Sequence, residues 1–563
     1  MLRRGSVSLA SACLLALTAC DDAITAPPAP ATSEPAITAA DVREAPGRAL
    51  TAAQVAASVV QPALPERLTL PTDAVVTGKT FRPADVSALY AALREAQPGD
   101  QILLTPGASY VGYFRLRDKG NTSGWITVRT DGTLPAAGTR VTPAMAGRFA
   151  KLVAQGRNDP AISADTGTRG WRFIGVEVMP HDSIKTLGAL IRLSDGSARE
   201  MSQIPSDIVF DRTYIHGNTK VGLTRCIMLN SARTAVVNST VTECHRNGFD
   251  SHAIGTVASP GPVLIENNSL SGAGMGIFIG GSDPRIANLS PSDITIRNNH
   301  IWRPASWKGV WTVKNLLEFK HAKRVLVEGN LFENNWADAQ TGTAIVIKST
   351  NQYGRAPWSQ TADVTFRRNI LRNSPNAVTL AANPEKHPAV PAARIKIEHN
   401  LFYNIGSYAG TRGGRMFVMG GPLSDVQLLN NTMIHNDVDT HAAIMDPSSR
   451  GQASRFVARG NIGTLGASGW MSSGEGSGTA AFKAMWRDTY VFENNVIIGS
   501  ISSRFPYPVT TKRVATLAEV GFANAGSGDF TLLSSSPFAG AAGALLGGAL
   551  GGTLPIPLVG GGN

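Results

Sequence analysis

No HExxH helix, GxSxG elbow or nucleotide-binding glycine loop occurs among the 563 residues, which removes the chemistries those motifs carry. The only Asp-Asp doublet is Asp21-Asp22, near the N-terminus, so the paired carboxylates of an inverting glycosidase are not visible on any strand. Clusters of metal ligands are missing, and no metal is expected. Basic and aromatic residues gather in no nucleic-acid module, so no nucleic-acid partner is expected. Acidic residues are the scarcer charge, 41 against 52 basic, for a formal +11. A basic exported protein favours polyanions, acidic polysaccharides above all, although a basic surface with no partner fits the same count. Charge vanishes from residues 530–563, where GALLGGALGG (543–552) has glycines at four-residue spacing. Pro555 and Pro557 break that run, so 542–563 read as a Gly-rich tail rather than a membrane span.

Cysteine is also rare. Of four, Cys13 and Cys20 lie in the N-terminal signal region, leaving Cys226 and Cys244. In an oxidising compartment these two could pair. They sit out of register with each other in the repeats below, so two buried thiols fit equally well. Arg3 and Arg4 precede an apolar run over 7–17 that ends Leu17-Thr18-Ala19-Cys20. That is the pattern of a lipoprotein signal, residues 1–19, with Cys20 lipidated as the first mature residue. Export to the cell envelope, on its periplasmic or surface face, and a membrane partner through the Cys20 lipid follow as expectations. Residues 20–66 are rich in Ala, Pro and Thr and read as a disordered tether that cannot bury a core.

What is present is a repeat. One phrase (apolar, any, apolar, any, any, Asn, any, apolar) reads VLIENNSL (263–270), ITIRNNHI (294–301), VLVEGNLF (325–332), VTFRRNIL (364–371), IKIEHNLF (395–402), VQLLNNTM (426–433) and YVFENNVI (490–497). Its Asn falls at 268, 299, 330, 369, 400, 431 and 495, with a weaker copy at Asn461. Spacings near 31 residues mean a solenoid. Alternation marks a short strand with one face buried, and an Asn fixed in every turn can hydrogen-bond to its copies along the axis. The reading is all-β, a right-handed parallel β-helix. Weaker copies at Asp131, Val176, Thr213 and Ser239 extend it to about 12 coils, on the order of 55–60 Å long. One such rod over residues 80–541 suits the remaining length, and a monomer is expected.

At the start, ADVSALYAALREA (84–96) puts Val86, Leu89, Tyr90 and Leu93 on one helical face, followed by Pro98-Gly99-Asp100 and the strand ILLTPG (102–107). A short amphipathic helix there would cover the open end of the core. With Tyr110 and Gly112, and an ending VGFANAGSGDFTLLSSSPFAGA (520–541), the chain resembles the pectate-lyase-like superfamily of right-handed β-helix proteins. That resemblance implies the fold and leaves function wide, since the superfamily includes lyases, hydrolases, epimerases, esterases and adhesins.

A β-helix places its sites in rows of outward side chains. In NLLEFKHA (315–322), Leu317 and Phe319 point in, so Leu316, Glu318 and Lys320 should point out; in TAIVIKS (343–349), Ile345 and Ile347 point in and Lys348 out. Aligning Phe319 with Ile347 stacks Lys320 on Lys348. Two stacked ammonium groups repel, which frees a neutral amine to act as a base, although outward Lys also simply keeps a sheet soluble. Chondroitinase-B and alginate lyases of this fold resemble the chain here: Lys320 stands where their catalytic Lys does, and Lys348 where they carry Arg. The acidic calcium ligands implied by that resemblance are replaced by Val313 and Asn315, with Glu318 the sole near acid. No cofactor is therefore expected; calcium stays open only without its usual acidic ligands.

Upstream, Arg192, Asn230, Asp250 and His252 fall on the same expected sheet, and His252 reads either as a general acid or base or as a satisfied turn residue. Gly280-Gly281-Ser282 should leave a gap for a sugar ring between His252 and Lys320. Trp302, Trp307 and Trp311 in one long turn, and Tyr353, Arg355 and Trp358 in another, are candidate sugar-stacking or binding residues together with Glu318, with closure of turns over the core the plainer role for the aromatics. The leading expectation is an exported lyase cleaving an acidic uronate polysaccharide by β-elimination, with catalytic Lys320, Lys348, His252 and Arg192. A non-catalytic surface lipoprotein that binds glycan or protein is the rival, and a hydrolase or epimerase the third reading.

Overall fold

A computed structural model describes residues 50–70, 76–120, 124–382, 387–447, 451–500 and 506–539. Cys20, the signal and the tail over 542–563 lie outside the described residues. The described residues, from Leu50 onward, belong to one unit. The repeat winds as the expected right-handed parallel β-helix, with three long sheets of 14, 13 and 14 strands. Each coil visits sheet A, sheet B and sheet C in turn, as in Val263–Glu266, Ser269–Gly272 and Met275–Ile279. Apolar residues stack coil on coil inside: Ile265, Ile296, Val327, Phe366, Ile397 and Leu428 are successive partners in sheet A.

The turn from A to B explains the phrase. Its first residue has positive φ, at Asn267 (53°), Asn298 (57°), Gly329 (65°) and Asn430 (52°), a conformation open to Gly and Asn at least strain. The second residue is the ladder Asn. Asn268, Asn299, Asn330, Asn369, Asn400 and Asn431 are buried, and each Nδ2 donates to the next Oδ1 at 2.9–3.1 Å. The ladder continues through Asn461 to Asn495 (2.9 Å) and, at the other end, through Ser239 to Thr213. Asp131 and Val176 do not join it: Asp131 pairs with Arg82, and Val176 opens a sheet B strand.

Helix α1, Ala52–Ser58, comes first. Helix α2, Val86–Glu95, is capped by Asp85 and sends Leu89, Ala92 and Leu93 into the core with Ile102 and Phe114. Tyr90 lies at its margin, its ring centroid 5.6 Å from that of Phe114. Towards the C-terminus, helix α3, Thr479–Trp486, buries Phe482, Met485 and Trp486 against Phe456 and Phe492. Among the described residues no helix is long and apolar enough to cross a membrane. Cys226 and Cys244 form a disulfide with a Cα–Cα distance of 5.6 Å. It joins a sheet C strand to the sheet B strand of the next coil. A comparison of strand register could not anticipate this link, because the two cysteines meet across a turn.

Residues 50–66, expected within the tether, are instead packed along the outer face of sheet A. Val55 and Val59 sit against Val457 and Val491, and Leu68 and Leu70 against Val209, Ala235 and Leu264. Between these anchors the sheet's corner carries alternating charges, Asp293, Arg324, Asp363, Arg394, Asp425 and Arg455, all at positive φ. They form the ion pairs Asp293–Arg324, Asp363–Arg394 and Asp425–Arg455. The N–H groups of Glu66, Ala63 and Val60 donate to Asp293, Asp363 and Asp425 at 3.0, 3.1 and 3.0 Å.

The match is metric. Those aspartates lie two coils apart, roughly 9.6 Å, and three residues of a polyproline-type chain rise about 9.3 Å. Pro62 and Pro65, which had suggested disorder, favour that extended form. Burial alone would raise the Asp425 carboxyl, but Arg455 and the Val60 N–H outweigh it and hold it below the ordinary range. Asp363→Ala removes both the Arg394 partner and the Ala63 acceptor, at a cost of about 2–3 kcal/mol. Trypsin should then cut after exposed Arg67 faster than in the parent protein; an unchanged cleavage rate would mean that the aspartates do not hold this segment.

Candidate functional site

The outer face of sheet C is built from one position per coil: Arg192, Met228, Gly255, Phe278, Glu318, Val346 and Thr379 are successive partners. Phe319 pairs with Ile347, the register expected for the two lysine strands. The parity fails one step earlier. Leu316, expected outward, is buried in the core beside Leu317, as Ala253 is beside Ile254 and Ala344 beside Ile345. Each sheet C strand therefore admits two successive side chains to the core where it enters from the preceding turn.

Long turns flank the face. Residues 303–314 precede the strand Asn315–Phe319, and 349–360 follow the strand Thr343–Lys348. The second turn is tied down. Buried Asp283 accepts the Tyr353 and Arg355 N–H groups at 3.0 and 2.9 Å, and Trp358 Nε1 donates to the Leu289 carbonyl at 2.9 Å. Tyr353 (58% exposed) and Arg355 (side chain 65% exposed) stand above it, the guanidinium 5.5 Å from the Tyr353 ring centroid.

Lys320 is half-buried. Its Nζ donates to Gln352 Oε1 at 2.9 Å and lies 5.7 Å from the Phe278 ring centroid. Phe278 also contacts His252, with ring centroids 5.6 Å apart. Lys320 and His252 thus bracket one aromatic ring. The expected glycine gap is closed: a Cβ on Gly281 would fall 2.2 Å from Phe278 Cζ, and one on Gly280 would lie 3.1 Å from Lys320 Cβ.

Lys348 and Glu318 do not face a ligand. They form an ion pair at 3.4 Å with side chains only 7% and 4% exposed. A substrate carboxylate cannot reach Lys348 without displacing Glu318, and Glu318 offers nothing to a sugar. His252 carries a neutral ring at neutral pH. Burial first, then the charge of Arg225, pulls it down to about 3. Its neutral ring lies over Gly255, with Nδ1 3.0 Å from the Asp250 carbonyl.

Among the tryptophans, Trp302 lies on sheet B, its Nε1 donating to Ser269 Oγ at 3.0 Å, away from Lys320. Trp307 is buried with Val313 and Trp336, and Trp311 is stacked on His245 at 3.8 Å. These close a turn over the core, the plainer of their two roles. Asn230 is buried and accepts the Val257 and Ala258 N–H groups, which also makes it structural. Asp250 pairs with Lys314, and Arg192 is half-buried on the open face.

The donor set does not suit calcium. Val313 brings no side-chain oxygen, Glu318 is held by Lys348, and the buried Oδ1 of Asn315 is a single neutral donor. Hard oxygen ligands in number are what calcium requires. Among the described residues no three His, Cys, Asp or Glu cluster to hold a metal ion. Phe278, Gln352 and Arg225 were not singled out in the sequence. Only Arg225 had a usable signal, being one coil before His252 in register.

The molecule is a right-handed parallel β-helix protein. The family model described as a right handed beta helix region matches residues 225–438. No curated protein matches the chain. Similar solved structures include an alginate lyase from Paenibacillus sp. str. FPU-7, 13% identical, covering 68% of this chain and 95% of its own, at a TM-score of 0.26. The PL6 family alginate lyase AlyGC is 12% identical over 77% of this chain and 53% of its own, at 0.42. The Azotobacter vinelandii mannuronan C-5 epimerase AlgE6 A-module is 12% identical over 77% and 95%, at 0.38. At such identities the likeness is one of fold.

Proposed function

We propose that the protein is an exported, carbohydrate-active β-helix that binds an acidic polysaccharide along sheet C and cleaves it by β-elimination, with Lys320 as the base. The observation that carries this reading is the setting of Lys320: half-buried, oriented by Gln352, beside Phe278, and next to a turn that offers Tyr353 and Arg355. In its neutral form Lys320 takes the proton from the carbon α to a uronate carboxylate. The charge that develops spreads onto the carboxylate, and Arg355 replaces Lys348 as the cation that meets it. The bond from the β-carbon to the glycosidic oxygen then breaks, leaving a carbon–carbon double bond. The departing oxygen is protonated from water.

Incubation with alginate, pectate, chondroitin and heparin should yield an unsaturated, ultraviolet-absorbing product from at least one. With Lys348 sequestered and His252 neutral, a rod that only binds glycan is the reading left standing if none appears. The Leu17-Thr18-Ala19-Cys20 signal supports anchoring through Cys20 in the cell envelope. Cys20→Ala should move the protein out of the detergent phase in a membrane partition, and a parent protein already found in the aqueous phase would refute the anchor.

A further inference from the structure

Elsewhere on the rod, guanidinium groups meet carboxylates. Arg297 pairs with Glu266, Arg367 with Glu328 and Arg372 with Glu333, in addition to the three Asp–Arg pairs at the corner of sheet A. On the first strand of sheet C the rule still holds, Arg115 pairing with Asp165, but the strand Arg225–Met228 breaks it. Among the described residues, the side chain of Arg225 makes no ion pair or hydrogen bond, and its Nε is buried without a partner. Burial lowers its pKa, Asp250 opposes the fall, and Arg192 and Arg246 add to it. Asp250 is itself engaged by Lys314, and Asp195, near Arg192, is engaged by the Ser197 N–H at 2.8 Å. His252, the register partner of Arg225, stays neutral and supplies no counter-charge.

Arg246 continues the pattern. It donates to Thr224 Oγ1 at 3.0 Å and lies 3.6 Å over the Phe249 ring, with no carboxylate among the described residues. Its stem and Thr186 bracket Gly222, lying 3.3 and 3.6 Å from where a Cβ would stand. Thr186, Lys185 and Arg157 in turn line an open cleft of about 500 Å³. Four cations, Arg157, Lys185, Arg246 and Arg225, therefore run from that cleft onto the face of sheet C with no ion-paired carboxylate among the described residues.

We propose that these residues form an anion-binding extension of the sheet C groove, holding carboxylate or sulfate groups of sugars that do not react. Resting on the acidic-polysaccharide reading, it adds the place where the chain is gripped. Arg225 lies three coils before the Lys320 strand, roughly 14 Å along the axis. That is the span of a few sugar units, so this end binds while chemistry stays at Lys320. Guanidinium suits the task because its fork meets a carboxylate or sulfate with two parallel N–H donors.

The test compares the parent protein, Arg225→Gln/Arg246→Gln and Lys320→Ala by calorimetric titration with oligogalacturonate, a heparin oligosaccharide and a neutral xylo-oligosaccharide. Loss of these charge-assisted hydrogen bonds should weaken acidic binding about tenfold to hundredfold. Lys320→Ala should lose less acidic binding than the double arginine variant, and the better of the two acidic probes identifies carboxylate or sulfate as the bound group. Arg225→Lys, with an unchanged melting temperature, should keep part of the affinity. Parent-like acidic binding in the double variant, or equally tight neutral binding by the parent, overturns the site. Unsaturated product formed independently of Arg225 and Arg246 would overturn it while leaving the lyase reading intact. Arginine-dependent binding without any product would do the reverse.

Discussion

Asn330→Leu should destabilise the rod by about 3–6 kcal/mol, because it strands several buried groups at once. Asn330 Oδ1 accepts both the backbone N–H and Nδ2 of Asn299 at 2.9 Å. Its own Nδ2 donates to the Ile296 carbonyl and to Asn369 Oδ1, again at 2.9 Å. Leucine has similar bulk but leaves the Asn299 N–H, one Asn299 amide proton and the Ile296 carbonyl without partners in a dry interior. Asn495→Leu should cost less, since Asn495 Nδ2 donates only to the Ala458 carbonyl among the described residues. Chemical denaturation of the two variants measures the difference. If Asn330→Leu melts with the parent protein, stacking of apolar side chains holds the coils and the ladder is incidental.

The ladder was legible because it obeys two constraints that a sequence displays: a fixed period and a polar residue at a position where polarity is otherwise costly. The Phe319–Ile347 register was legible for the same reason. What failed was strict alternation. Leu316 and Leu317 both face the core, and a period of two cannot report two successive inward side chains. The segment over 50–66 was misread from its composition. Its few apolar residues are enough, because they need only anchor two ends while a ladder of aspartates on distant coils holds the middle. Such a partner is invisible until the coils are stacked. The same holds for the site: an outward position in the pattern did not mean access to solvent, and Lys348 is buried in an ion pair with Glu318.

Lys320→Ala should lower the rate of product formation by about 2–4 orders of magnitude while leaving the melting temperature near that of the parent. The half-buried Lys320 makes its hydrogen bond to Gln352, on a surface turn, so truncating it removes a reacting group and little packing. Lys348→Ala should behave in the opposite way. It leaves the Glu318 carboxylate, 4% exposed, without its ammonium partner at 3.4 Å. Breaking a buried pair in this manner costs about 3–5 kcal/mol. Replacing both, Lys348→Met with Glu318→Met, should recover most of that stability, since an apolar pair of similar volume needs no counter-charge. Measuring melting temperature and rate on the three proteins separates a base from a structural cation. A Lys348→Ala protein that melts normally but has lost product formation would return Lys348 to the reaction and leave Lys320 as its neighbour.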